Sequence, residues 1–133
     1  MSSSPIPIFT PNAPPPAGPY SQAVRFGSSI QVSGQLGFDP IDFSLGPDVF
    51  TQTTQALQNI SAILHAAGAA LGDVVMIRVY LSELSDFPKL NEALAPWFPQ
   101  GGVARTTVQV TLPPNVFVEI DAMAVSSSIT EPS

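Results

Sequence analysis

The chain has 133 residues, 44% hydrophobic and 11% charged, a composition that folds as one compact domain rather than staying disordered. Its net charge of −6, with only four lysines and arginines, opposes nucleic acid and anionic membrane surfaces as partners. Without cysteine there are no disulfides, thiolate metal sites or thiol nucleophile, and a single histidine, His65, leaves no multi-histidine metal site.

Met1 to Pro16 hold six prolines and read as an extended or partly disordered arm, since proline blocks helices and inner strands. The start carries no early basic residue and no apolar run of signal-peptide length, and nothing approaches a membrane span. The expected setting is therefore soluble and cytoplasmic. A single domain is expected over 17–125, with a frayed tail over 126–133.

Tyr20 to Phe26 and Ser29 to Gly34 read as two strands joined by a Gly27-Ser28 hairpin turn. Gly34 to Pro47 reads as loop, with Asp39-Pro40 and Gly46-Pro47 as turn signals. Ala56, Leu57, Ile60, Ile63, Leu64 and Ala67 then recur at helical spacing, with Gln55, Gln58, Asn59 and Ser61 on the opposite face. Asp48 or a nearby threonine is placed to cap this helix, and Gly68 to end it. Val74 to Leu81 is rich in β-branched residues with almost no polar alternation, which predicts a strand buried on both faces. Ser85 is placed to cap a second helix with Phe87, Leu90, Leu94 and Trp97 on one face, and Pro88 suits its first turn. Thr106 to Val110 and Val116 to Val125 read as the last two strands, with a turn at Leu112-Pro113-Pro114-Asn115. The order β-β-α-β-α-β-β predicts an α+β domain, a mixed sheet with both helices packed on one face. Another subunit is the natural cover for the other face.

Among polar residues, Arg105 stands out because it follows Gly101-Gly102 at the mouth of an apolar strand. A guanidinium presents a planar fork of donors that matches a carboxylate. An intrachain pair with Glu119 or Asp121 is the ordinary alternative, and ordinary ion pairs outnumber binding sites. In the last strand Phe117, Glu119, Asp121 and Met123 alternate onto one face. There Glu119 is either a partly desolvated carboxylate able to hold a water and pass protons, or part of a solvated outer face. Tyr20 is a site donor or a strand aromatic. Ser33 offers a hydroxyl beside exposed amides or sits in an ordinary turn. Asn91 lies beside the second helix's apolar stripe, as a site residue or a surface one. Arg78 reads as a structural or subunit-contact charge and His65 as a surface residue, while the methionines, Phe87 and Trp97 read as core. No phosphate loop, Ser-His-Asp set, dinucleotide fingerprint or metal-ligand spacing is present.

Several segments in order resemble the Rid (YjgF-type) family of reactive-intermediate deaminases. They are AGPYSQAV (Ala17 to Val24), IQVSGQLGFDP (Ile30 to Pro40), the helix Gln55 to Gly68, Asp73 to Leu94, and ARTTVQVTLPPNVFVEIDAMAV (Ala104 to Val125). The resemblance implies a chorismate-mutase-like fold in a homotrimer, with a central barrel, helices outside and active sites between subunits. It implies hydrolysis of 2-imino acids and their enamine tautomers to 2-keto acids and ammonia, without a cofactor or metal. By match to the motif, Arg105 would clamp the substrate carboxylate and Glu119 would hold the attacking water and relay protons. Tyr20, Ser33, Asn91 and Thr107 would line the cleft. In two places the chain departs from the family pattern. Thr107 stands where many relatives have cysteine, and the run from Arg105 to Glu119 is one residue shorter than usual. A loss inside a strand would flip its side chains across the sheet. The alternatives are a pathway-specific deaminase of a larger aminated acid, or a non-enzymatic ligand-binding or regulatory trimer. Ribonuclease and translation-inhibitor activities, also proposed in the family, are opposed by the net charge of −6.

Overall fold

A computed structural model describes residues 4–126; the predicted tail beyond Ser126 lies outside the described residues. Six strands form one sheet: β1 (Ile6–Ile8), β2 (Ala23–Phe26), β3 (Ser29–Leu36), β4 (Val74–Leu81), β5 (Ala104–Gln109) and β6 (Val118–Val125). Two helices, α1 (Val49–Ala66) and α2 (Phe87–Leu94), complete the α+β architecture. The sheet order is β1-β2-β3-β6-β4-β5. Every pairing is antiparallel except β4 with β5, which are parallel and joined through α2.

The core forms where the apolar periods of helix and strand meet. Ala56, Leu57, Ile60, Ile63 and Leu64 of α1 are fully buried, as are Ile30, Val32, Ile77, Val79, Leu81, Val118 and Ile120 of the sheet, or within a percent of it. Each such Leu or Ile contributes about 1.5–3 kcal/mol by leaving water. Asp48 caps α1, its carboxylate accepting from Thr51 N at 2.8 Å. The helix is capped at its C-terminus by Ala67 and followed by Gly68, whose φ of 88° is one that glycine adopts without steric cost.

The proline-rich arm does more than lead in. Ile6–Ile8 add an edge strand to β2, where Pro7 is tolerated because an edge strand can leave one side unpaired. Gln22, only 2% exposed, fixes the arm: its Nε2 donates to the carbonyls of Thr10, Ala13 and Pro14, and its Oε1 accepts from Thr10 N at 2.6 Å. The first predicted strand consequently begins at Ala23 rather than Tyr20, because Tyr20 to Gln22 turn the chain out of the arm.

Other expectations change for local reasons. β3 runs on to Leu36 through a bulge in which Ser33 and Gly34 together face Asp121. β4 is buried on one face only, since Val75 and Arg78 are exposed and Met76 and Tyr80 half-buried. Met76 and Met123, read as core, are half-buried opposite each other on this open face. Asn59 is buried, not on an outer helix face; its amide donates to the carbonyls of Leu36 and Phe38. Ser85 sits in a short 3-10 turn, Leu84–Asp86, and α2 has no side-chain cap. β5 starts at Ala104, so Arg105 lies within a strand. Ser126 is buried, and its N–H donates to Ser28 O.

The strands that carry Arg105 and Glu119 are regular at those residues. β5 pairs with β4 without a shift from Ala104 to Gln109, and Glu119 keeps its place opposite Tyr80. The connection between them lies outside both ladders. It turns at Pro113–Val116, with Asn115 at φ 66° and Val116 N donating to Pro113 O. Buried Gln52 then secures it to α1, donating to Asn115 O and accepting from Phe117 N.

Candidate functional site

The predicted site residues fall into two groups, on opposite faces of the sheet. Arg105 and Thr107 of β5 register with Ile77 and Val79, both core residues, and so share the helix-covered face. There Arg105 Nη1 donates to Asn91 Oδ1 at 2.8 Å. The guanidinium carbon lies 5.1 Å from the centroid of the Phe87 ring. No carboxylate among the described residues pairs with Arg105, so the expected ordinary partner, Glu119 or Asp121, is not its partner. Beside it a recess of about 240 Å³ is lined by Ile77, Leu94, Phe98 and Val103 together with Asn91 and Arg105. The Thr107 hydroxyl is buried and makes no hydrogen bond among the described residues.

The second group lies on the open face. Glu119 of β6 stands between Tyr80 of β4 and Leu36 of β3. Burial pushes its carboxyl above the usual glutamate range, and the neighbouring Asp121 charge pushes it the same way. Asp121 is itself engaged: it accepts from Arg78 Nε at 2.8 Å and from the Tyr80 hydroxyl at 2.9 Å. Arg78 is thus a structural charge in this fold. Hydrogen bonding to Asp121 holds the Tyr80 phenol above its ordinary pKa.

Gly34 makes room for Glu119. A Cβ at position 34 would collide with Glu119 Oε2 and come within 2.9 Å of its carboxyl carbon. The bulge in β3 and the missing side chain therefore seat the carboxylate against the Ser33-Gly34 backbone. Gly34 also lines a recess of about 130 Å³ with Tyr20, Gln35, Phe38 and Pro14 to Pro16. Tyr20 is 50% exposed, and its hydroxyl accepts from Ala17 N at 3.2 Å. The Ser33 hydroxyl donates to Ser21 O at 2.7 Å.

Arg105 and Glu119 do not meet within one chain. They lie two strands and three residues apart, roughly 14 Å at standard strand spacings, with the sheet between them. Another recess, about 580 Å³, holds none of the predicted site residues. Its polar groups have other work: Asp48 caps α1, and Glu92 pairs with Lys89 at 3.1 Å. His65 is exposed on α1. Two contributors escaped the sequence reading. Phe87 was read as core, although its i, i+4 spacing to Asn91 marks a shared helix face. Gln22 carried no periodic signal at all.

These features define a small α+β domain with an arginine unpaired to any acid among the described residues and, across the sheet, a desolvated glutamate. The family model described as endoribonuclease L-PSP matches residues 10–126, and the chain belongs to this family, the Rid (YjgF-type) proteins. A RutC family protein of Pyrococcus horikoshii is 46% identical over 119 residues, covering 88% of this chain and 94% of the relative. A 2-iminobutanoate/2-iminopropanoate deaminase of Salmonella typhimurium is 40% identical over 122 residues, covering 89% and 95%. Among solved structures, E. coli TdcF with bound serine superposes with a TM-score of 0.85 at 37% identity, covering 92% of this chain and 99% of that one. No helix among the described residues is long and apolar enough to cross a membrane.

Proposed function

We propose that this protein hydrolyses reactive 2-imino acids and their enamine tautomers to 2-keto acids and ammonia. The observation that carries the reading is Arg105, a guanidinium held by neutral groups and without an acidic partner among the described residues. A cation so placed is suited to a carboxylate that arrives with the substrate. Glu119 supplies the complementary chemistry. A carboxylate whose pKa is raised by desolvation is a stronger base towards water than an ordinary glutamate, and the carboxylic acid it forms can hand the proton on. Water adds to the imine carbon, Glu119 accepts its proton, and the resulting carbinolamine nitrogen takes that proton up. Glu119 then takes the proton of the new hydroxyl and passes it to the nitrogen as the C=O bond forms and the C–N bond breaks, releasing ammonia and leaving the keto acid. The imine is already electrophilic, so positioning one water and one carboxylate accounts for most of the acceleration.

The opposite-face arrangement favours a site shared between copies. In the homotrimer that the family resemblance implies, Arg105, Asn91 and Thr107 of one copy would face Glu119, Tyr20 and Ser33 of its neighbour. The half-covered face carrying Val75, Met76 and Val125 would pack against the others as a barrel. No step of this chemistry requires a cofactor. The salt and charge balance that disfavours RNA is unchanged, with a net charge of −6.

The test generates 2-iminopropanoate or 2-iminobutanoate enzymatically beside a trapping amine and measures diversion to free keto acid. Acceleration over water is expected, reduced about 10- to 150-fold in kcat/KM by Arg105→Ala, the worth of a charged hydrogen-bonded pair. Mass measurement in solution accompanies it. A trimer without acceleration would reject the deaminase, and a monomer that accelerates would reject the shared site.

A further inference from the structure

The helix α2 presents two side chains to Arg105 in different ways. Asn91 Oδ1 accepts one N–H, a contact in the plane of the guanidinium. Phe87, one turn earlier on the same helix face, offers its ring to the guanidinium at 5.1 Å from carbon to centroid. That distance lies inside the roughly 6 Å range of cation–π attraction. The hydrogen bond fixes a direction but leaves the guanidinium free to tilt about it. The ring resists that tilt. Phe87 remains 39% exposed, so the core does not consume its side chain. Of the five N–H donors of a guanidinium, four have no partner among the described residues.

We propose that Phe87 is a positioning residue that, with Asn91, fixes the plane of the Arg105 guanidinium so that its remaining donors meet a carboxylate as a preformed fork. This rests on the carboxylate-clamping role given to Arg105 above. A long arginine side chain loses rotamer freedom when it is immobilised by a ligand, and one already held by a ring and an amide loses less. Phe87 acts through Arg105 and need not touch the substrate.

The variants are Phe87→Leu, which keeps apolar bulk and removes the ring, and Phe87→Tyr, which keeps the ring. The probe is 2-oxobutanoate, an unreactive carboxylate, titrated by calorimetry into the full chain. Phe87→Leu is expected to weaken binding about 3- to 30-fold, with Phe87→Tyr within about twofold of the parent. In the deamination assay, KM should rise with kcat retained, and melting temperature and assembly should match the parent. Unchanged affinity in Phe87→Leu, or equal losses in both variants, would overturn the proposal.

A second readout does not depend on the reaction. In the ligand-free protein, the side-chain protons of Arg105 should carry an upfield ring-current shift in the NMR spectrum. That shift should survive in Phe87→Tyr and vanish in Phe87→Leu. If the parent binds no carboxylate, the deaminase reading fails at that step, and the ring-current shift alone then decides whether Phe87 holds the guanidinium. A shift indifferent to Phe87→Leu sinks the positioning role.

Discussion

Arg105 and Glu119 both lack a counterion among the described residues, yet the fold maintains them by opposite means. Arg105 lies on the edge strand β5, reachable by water, and neutral groups orient it: an amide oxygen and an aromatic ring. Glu119 lies in the middle of the sheet, where strands on both sides and a glycine bulge enclose it. Arg78 and Asp121 show the ordinary solution next door, a 2.8 Å pair closed by Tyr80. The contrast teaches that an unpaired charge can be held by orientation at little cost in solvent, whereas holding one by enclosure strains its ionisation. Orientation favours binding, and enclosure favours proton transfer.

The largest break in this comparison comes from neutralising the enclosed group. Glu119→Gln keeps the shape and removes the proton acceptor, so kcat should fall about 10²- to 10⁴-fold, the usual worth of general acid–base catalysis. Binding of 2-oxobutanoate should change little. In the parent, kcat should decline as pH falls through the raised pKa of Glu119, and Glu119→Gln should flatten that limb. A variant that loses affinity and keeps kcat would reverse the division of labour.

A smaller break comes from filling the space that encloses it. Gly34→Ala places a Cβ where the Glu119 carboxylate sits, so the carboxylate must move by about the width of the clash. Misplacement of about 1 Å costs about 100-fold in rate, and a loss of that order in kcat is expected. The added methyl displaces Glu119 and leaves the Arg105 contacts to Asn91 and Phe87 in place, so carboxylate affinity measured by calorimetry should stay near the parent value. Equal losses in both would mean that Gly34 serves the fold as a whole.

The two regions were also unequally legible in the sequence. The helix period gave α1 and its Asp48 cap, because a repeated apolar stripe and a cap are local signals. The alternation in the last strand put Glu119 and Asp121 on one face, as observed, for the same reason. Arg105 was singled out by its rarity. What pairing decides stayed hidden. VVMIRVYL looks buried on both faces because apolar residues do not announce which side has a cover within the chain. The bulge at Ser33-Gly34 depends on the partner strand β6, some ninety residues away, and no local turn rule reaches it. The arm's edge strand was masked by its prolines, and the polar work of Gln22, Gln52 and Asn59 by their resemblance to surface residues. Each satisfies backbone groups of a segment remote in sequence, which is a tertiary property.

The smallest expected effect is thermodynamic, and it separates enclosure from orientation without an assay of activity. Burial and the Asp121 charge raise the Glu119 pKa in the folded protein above its unfolded value, near 4.3 for a free glutamate. The folded state therefore holds the Glu119 proton more tightly than the unfolded chain does. That contribution is fully present below the unfolded pKa and is lost as pH rises through the folded one. At neutral pH the ionised carboxylate is thus a liability that Gln lacks. Glu119→Gln should melt at a higher temperature than the parent at pH 7, and the difference should shrink towards pH 4 and below. Arg105→Ala, which leaves the Glu119 carboxyl in place, is the control and should show no such gain. If Glu119→Gln melts below the parent at pH 7, the carboxylate is stabilised by a partner that a second copy of the chain supplies. Repeating the melt over a range of protein concentrations would then reveal that partner, since an assembly's melting temperature rises with concentration and a lone chain's does not.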